Sequence, residues 1–94
     1  MPKGLYRVFR DDVTGLQFAF KQEPTRPDML HITHRHGTLP ADAIAAFGSG
    51  ETVFNTQHLR FQTTSATHAV YWAWWIEDVA VLVITCFPNA EEEE

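Results

Sequence analysis

Residues 68–87 decide the fold: His68-Ala69-Val70-Tyr71-Trp72-Ala73-Trp74-Trp75, then Ile76-Glu77-Asp78-Val79, then Ala80-Val81-Leu82-Val83-Ile84-Thr85-Cys86-Phe87. The first eight are rich in aromatic and β-branched side chains. An extended backbone puts Val70, Trp72 and Trp74 on one side and Tyr71, Ala73 and Trp75 on the other. Glu77 and Asp78 make a turn. The last eight are apolar on both sides, the pattern of a central strand covered on both faces, and Pro88 stops it. The two acids also break the only long apolar run, so no stretch reaches the ~18 residues of a membrane helix.

Working outward, residues 58–64 are β-prone and read as the strand before this pair. Near the N-terminus, Leu16, Phe18 and Phe20 alternate with Gln17, Ala19 and Lys21, which is a half-buried strand. Residues 5–10 are β-rich. The intervening residues 11–15 carry turn chemistry, with Gly15 for a left-handed position, so a β-hairpin is expected. Residues 22–28 hold Pro24 and Pro27 and read as a loop. Asp28 then caps a short helix over residues 29–36 with Gly37 beyond its end; a strand over residues 29–33 competes. Residues 38–47 read as a second helix, capped at Thr38 or Leu39, with Pro40 and Asp42 in its first turn and Ala43, Ile44 and Phe47 on one face. Gly48, Ser49 and Gly50 end it. The expected fold is α+β, an antiparallel sheet with two short helices on one face, in the order β-β-α-α-β-β-β. The second face must be covered by the N-terminal hairpin, by the sheet's own curvature or by a second chain, so a homodimer is one expectation.

Ninety-four residues allow one core. Residues 1–89 read as a single domain and residues 90–94 as an acidic, disordered tail. Seven Lys and Arg stand against 12 Asp and Glu, a net charge of −5. The terminal Glu91 to Glu94 account for most of it, so a basic grip over the whole surface is excluded but a local basic patch is not. One cysteine, Cys86, rules out a disulfide framework and a Cys-rich zinc site and reads as an inert core residue. No apolar h-region follows the N-terminus, and a cytoplasmic protein is expected. P-loop, dinucleotide and nucleophile-elbow motifs are absent, and no cofactor is expected.

The chemistry concentrates in His31-Ile32-Thr33-His34-Arg35-His36-Gly37, which holds three of the five histidines. Three uses compete. His31, His34 and His36 are metal-ligand types, although on a helix only His31 and His34 share a face. RNA cleavage by 2′-hydroxyl attack needs a base, an acid and a cation. His31 and Arg35 lie four apart for a helix, with His58, Arg60, His68 and Tyr71 on later strands. Solvated surface histidines, with Arg35 and His36 favouring a helix C-terminus, make the bland alternative.

The same segment carries a family resemblance. His31-Ile32, Arg35-His36-Gly37-Thr38, Pro40-Ala41-Asp42-Ala43 and Phe47, followed by Leu59-Arg60-Phe61-Gln62-Thr63-Thr64 and an apolar strand from His68, resemble the BrnT-type toxins over residues 31–87. The resemblance implies a RelE-like fold, a ribonuclease toxin and a cognate antitoxin, with Arg35, His36 and Arg60 matching the family's pattern. Those toxins are generally basic, whereas this chain is acidic. On this reading Arg35 and Arg60 hold the phosphate and His36 or His31 titrates, with His68 and Tyr71 as further candidates. Trp72, Trp74 and Trp75 are core residues or, where exposed, anchors for a protein partner or a second copy. The alternative function is a non-enzymatic protein-binding module, such as a phage or bacterial inhibitor or immunity protein. It would use an acidic surface and the Trp-rich sheet face.

Overall fold

The computed structural model describes residues 6–89. The start of the first expected strand and the acidic tail lie outside the described residues. Nine elements follow one another: β1 (Tyr6–Arg10), β2 (Gln17–Glu23), β3 (Arg26–Leu30), α1 (His31–His36), α2 (Pro40–Ser49), β4 (Glu51–Asn55), β5 (Arg60–Thr64), β6 (His68–Ile76) and β7 (Ala80–Pro88). The sheet runs β1-β2-β7-β6-β5-β4, with β3 attached to β2. The architecture is mixed α and β, mostly sheet, as the alternating segments imply. No described helix is long and apolar enough to cross a membrane.

Two expectations are corrected. The sheet is not wholly antiparallel, because β2 and β7 pair in parallel from Gln17↔Ala80 to Phe20↔Val83. A parallel pair needs a long crossover, and everything between the two strands supplies it. The order is β-β-β-α-α-β-β-β-β, with two strands beyond those expected. β3 occupies part of the Pro-containing stretch read as loop and pairs with β2 only at Gln22↔Leu30 and Glu23↔Arg26. It continues through Asp28 and Met29, so α1 begins at His31 and Leu30, extended at ψ 151°, takes the cap position in place of Asp28. Burial of Leu30 in the core outweighs the capping preference of Asp28. β4 is an edge strand exposed at every residue but Asn55, so it shows no inward–outward alternation to read.

The helix signals work locally. The Asp42 carboxylate accepts the Leu39 N–H at 3.0 Å, Pro40 sits at the first helical positions, and Gly37 closes α1 at φ 68° with its N–H donating to the Thr33 carbonyl. α2 runs two residues further than expected, to Ser49, and stops at Gly50. A Cβ at Gly50 would lie 2.6 Å from the Thr64 carbonyl oxygen, so only glycine lets the chain turn from α2 into β4 beside β5.

The core lies between the helices and one sheet face. Phe18 and Phe20 of β2, Val81 and Val83 of β7, and Val70 and Trp72 of β6 meet Ile32 of α1 and Ala43 and Ala46 of α2. Alanines on α2 let it approach closely, and Phe47 sets its ring edge-on to Phe18 and Trp72. Trp72 is also stacked on Phe61 at 4.4 Å, and its indole N–H donates to the buried Thr63 hydroxyl at 2.8 Å. That bond satisfies the one polar atom of the ring. No helix or strand among the described residues lies over the opposite face. The N-terminal hairpin widens the sheet at its edge instead of covering it.

Candidate functional site

The uncovered face is built by alternation: Arg7 and Phe9 pair beside Phe20 and Phe18 on the core side, so Tyr6, Val8 and Arg10 stand on the other with Lys21, Ala19 and Gln17. Tyr71, Ala73 and Trp75 follow on β6, and Arg60 and Gln62 on β5. Ala19, Ala69 and Ala80 are buried here, small residues standing beside larger partners: Val8 and Leu82 for Ala19, Phe87 for Ala69, and Gln17 and Ile76 for Ala80. The Tyr6 and Trp75 rings lie 5.3 Å apart across the sheet.

A ladder of rings joins three of the sequence candidates on this side. His36, at the end of α1, lies 5.7 Å from the Phe87 ring; Phe87 meets Tyr71 edge-on at 5.5 Å; and the Arg60 guanidinium sits 4.4 Å above Tyr71. His36 and Arg60 are therefore connected but separated by two rings. The cation–π contact contributes roughly 0.5–1 kcal/mol and holds the guanidinium flat on the face. Arg60 leaves a tight β4–β5 loop in which Leu59 takes φ 56°, a conformation a branched-chain residue adopts only when its surroundings impose it.

A second locus opens where β2 leaves β7. The ladder between them ends at Val83, and Ile84 is the extra residue of a bulge opposite β6. An open hollow of about 210 Å³ results, lined by Tyr6, Lys21, His31, Leu82, Val83 and Ile84. Beside it His31 Nδ1 lies 3.1 Å from Glu23 Oε1, with the Glu23 side chain only 13% exposed. A carboxylate only accepts, so Nδ1 carries the proton and donates it. The bond from His31 holds the Glu23 carboxyl below its usual range, and the charges of His34 and His31 add to this.

Of the sequence candidates, only His31 borders the hollow. Arg35 and His34 are exposed on α1. His68 stands at the β5–β6 turn, its Nδ1 at 2.9 Å from the Thr67 hydroxyl. Trp72 is in the core at 4% exposure, Trp74 is half-buried against it, and Trp75 is the exposed member of the three. No cluster of three or more His, Cys, Asp or Glu fit to hold a metal occurs among the described residues, and His31 is instead paired to a carboxylate. Cys86 is fully buried, and that burial pushes its thiol up to about 12, with Asp42 adding to the rise. It is no nucleophile.

Sequence reasoning missed Glu23, Lys21 and Tyr6. Glu23 is eight residues before His31, across the β2–β3 turn that the prolines disguised as loop. Had β3 been read as a strand returning along β2, the Glu23–His31 proximity would have followed. Neither a known protein family, nor a curated protein, nor a solved structure matches the chain.

Proposed function

We propose that this protein is a small RNA-directed protein of the ribonuclease-toxin kind, similar to the BrnT-type toxins, or a relative that keeps RNA binding after losing cleavage. One observation carries the reading: the ring ladder that ends with the Arg60 guanidinium on Tyr71, on a sheet face that no element among the described residues covers. Rings on an open sheet give bases a surface to stack on, and cations beside them meet phosphates. Lys21 and Arg10 stand on the same face as Arg60, where the acids are Glu51 on the β4 edge and Glu23 beside the hollow, whereas Asp11, Asp12, Glu77 and Asp78 sit in turns and Asp42 on α2. The net charge therefore does not describe this face. The segment of the resemblance, residues 31–87, forms a helix pair followed by four successive antiparallel strands, which supports a RelE-like reading. The partner is then a cognate antitoxin lying over the same face, and the place of action is the cytoplasm. Expression should arrest growth, and purified protein should cut RNA in EDTA. Arg60→Ala should remove both effects while the thermal midpoint stays within a few degrees of wild type. RNA left intact and unshifted in a gel at micromolar protein would end this reading.

The same face gives the alternative its own support. Val8, Val53, Trp75, Ile76 and Ile84 are exposed on or around it, more apolar surface than single scattered residues. With a net charge of −5 this fits a binding module that holds a basic protein, as an inhibitor of a nuclease would. It predicts unchanged RNA together with inhibition of a basic nuclease that Trp75→Ala weakens.

A further inference from the structure

The ladder offers stacking and a cation, and its one imidazole, His36, stands two rings away from Arg60. The hollow is lined by both an imidazole and a cation. With Nδ1 turned to Glu23, Nε2 is the free nitrogen of the His31 ring, and a ring in its neutral form presents a lone pair there, the arrangement of a general base oriented by a carboxylate. Lys21, two residues before Glu23 on β2, brings an ammonium to the same hollow, and Tyr6 brings a ring. The floor, Leu82 and Ile84, is apolar. At about 210 Å³ the space falls below the roughly 300–1,000 Å³ of sites for drug-sized ligands, and it suits one nucleotide unit. α1 links the two loci: its first residue, His31, borders Val83 and Ile84, and its last, His36, stacks on Phe87, so the helix lies along the free half of β7 between hollow and ladder.

Resting on the RNA-directed reading, we infer that the reacting centre is this hollow, with His31 as the catalytic base, Lys21 on the phosphate and Glu23 as a positioning residue, while Arg60 and Tyr71 bind the neighbouring nucleotides. His31 Nε2 takes the proton of a ribose 2′-hydroxyl as the 2′-oxygen forms its bond to phosphorus. The bond from phosphorus to the 5′-oxygen breaks, and that oxygen takes a proton from water. A 2′,3′-cyclic phosphate and a 5′-hydroxyl result, with no change of oxidation state. Lys21 meets the charge that builds on the phosphoryl oxygens. Among the described residues, the charged and titrating groups around His31 are Glu23 and Lys21 from β2, Tyr6 from β1, and His34 and Arg35 on α1. Arg26 and Asp28 of β3 are exposed, and β7 contributes apolar side chains to the hollow.

Cleavage kinetics and methyl NMR on the full chain test this together. His31→Ala and His31→Gln should each lower kcat by about 100-fold or more at an unchanged fold. Glu23→Gln should lower kcat more than it changes KM, the split expected of a residue that orients the base without touching substrate. Arg60→Ala should act through KM, raising it so far that cutting at micromolar RNA is lost. Uridine 3′-monophosphate should shift the Leu82 and Ile84 methyl resonances saturably, and Lys21→Ala should abolish the shift. RNA cut by both His31 variants at the wild-type rate overturns the inference and leaves the ladder reading standing. Should wild type leave RNA intact, the cleavage reading falls by itself; the nucleotide titration then decides the hollow, and unmoved methyl resonances overturn it.

Discussion

The two faces of the sheet are made from the same residue types and do opposite things. On the core side, Trp72 is 4% exposed, held by Phe47, Phe61 and Trp74 and by a hydrogen bond to Thr63. On the other side, Trp75, three residues later on the same strand, is 50% exposed with Tyr6 as its ring neighbour. An aromatic side chain is therefore structure or surface according to whether a helix lies over it. The second face sets Lys21, Arg10, Arg60 and Gln62 between its rings, the mixture of polar and aromatic side chains on which the proposed binding role rests.

The sharpest way to break this comparison is to truncate the same residue type on each side. Trp72→Ala should cost about 3–5 kcal/mol in urea unfolding, since it empties a filled core position and removes the indole's bond to Thr63, whose hydroxyl keeps Thr52 as its partner. Trp75→Ala should cost under about 1 kcal/mol, and its effect should show in binding. Equal losses would mean that the uncovered face is core in solution, buried against another chain. Gly50→Ala comes next, at about 1–3 kcal/mol, because its Cβ would collide with backbone and not with a flexible side chain; thermal unfolding should register it without change at the hollow.

The smallest effect concerns pH. The folded-state pKa of Glu23 lies below its ordinary 4.5, as that of Asp11 lies below 3.8 through its bonds from the Thr14 hydroxyl and backbone. Each stabilises the fold above its ordinary value, and the contribution is lost as pH falls through the lowered one. The midpoint of thermal unfolding should accordingly drop below pH ~4.5, and Glu23→Gln should flatten the upper part of that drop. A parallel drop in wild type and variant would show that the Glu23–His31 bond is absent in solution. That result would sharpen the contrast between a rigid core side and a loosely held uncovered side.

How far the sequence could be read follows the same division. The β6–β7 pair, the N-terminal hairpin with its left-handed Gly15, the Gly37 end of α1 and the Asp42-capped start of α2 were legible, because each depends on neighbours a few residues away. β3 and β4 were not. One is a short offshoot containing a proline, and the other is an exposed edge that lacks two-sided patterning. At the site, His31, His36, Arg60 and Tyr71 could be named as chemically capable residues. That His36 and Arg60 would be linked through Phe87 and Tyr71, and that His31 would be paired with Glu23 beside Lys21, could not be foreseen.

Hydrophobic periodicity and turn chemistry, read from the residues alone, determined that this chain makes a sheet-rich domain with a short helix pair and a long apolar hairpin at its end. Tertiary structure decided that β2 pairs in parallel with β7, which face the helices cover and where the sheet parts to leave a hollow. Alternation along a strand tells which side chains share a face. It carries no information about what lies on that face or which distant strand stands beside it, because those depend on contacts between residues far apart in the chain.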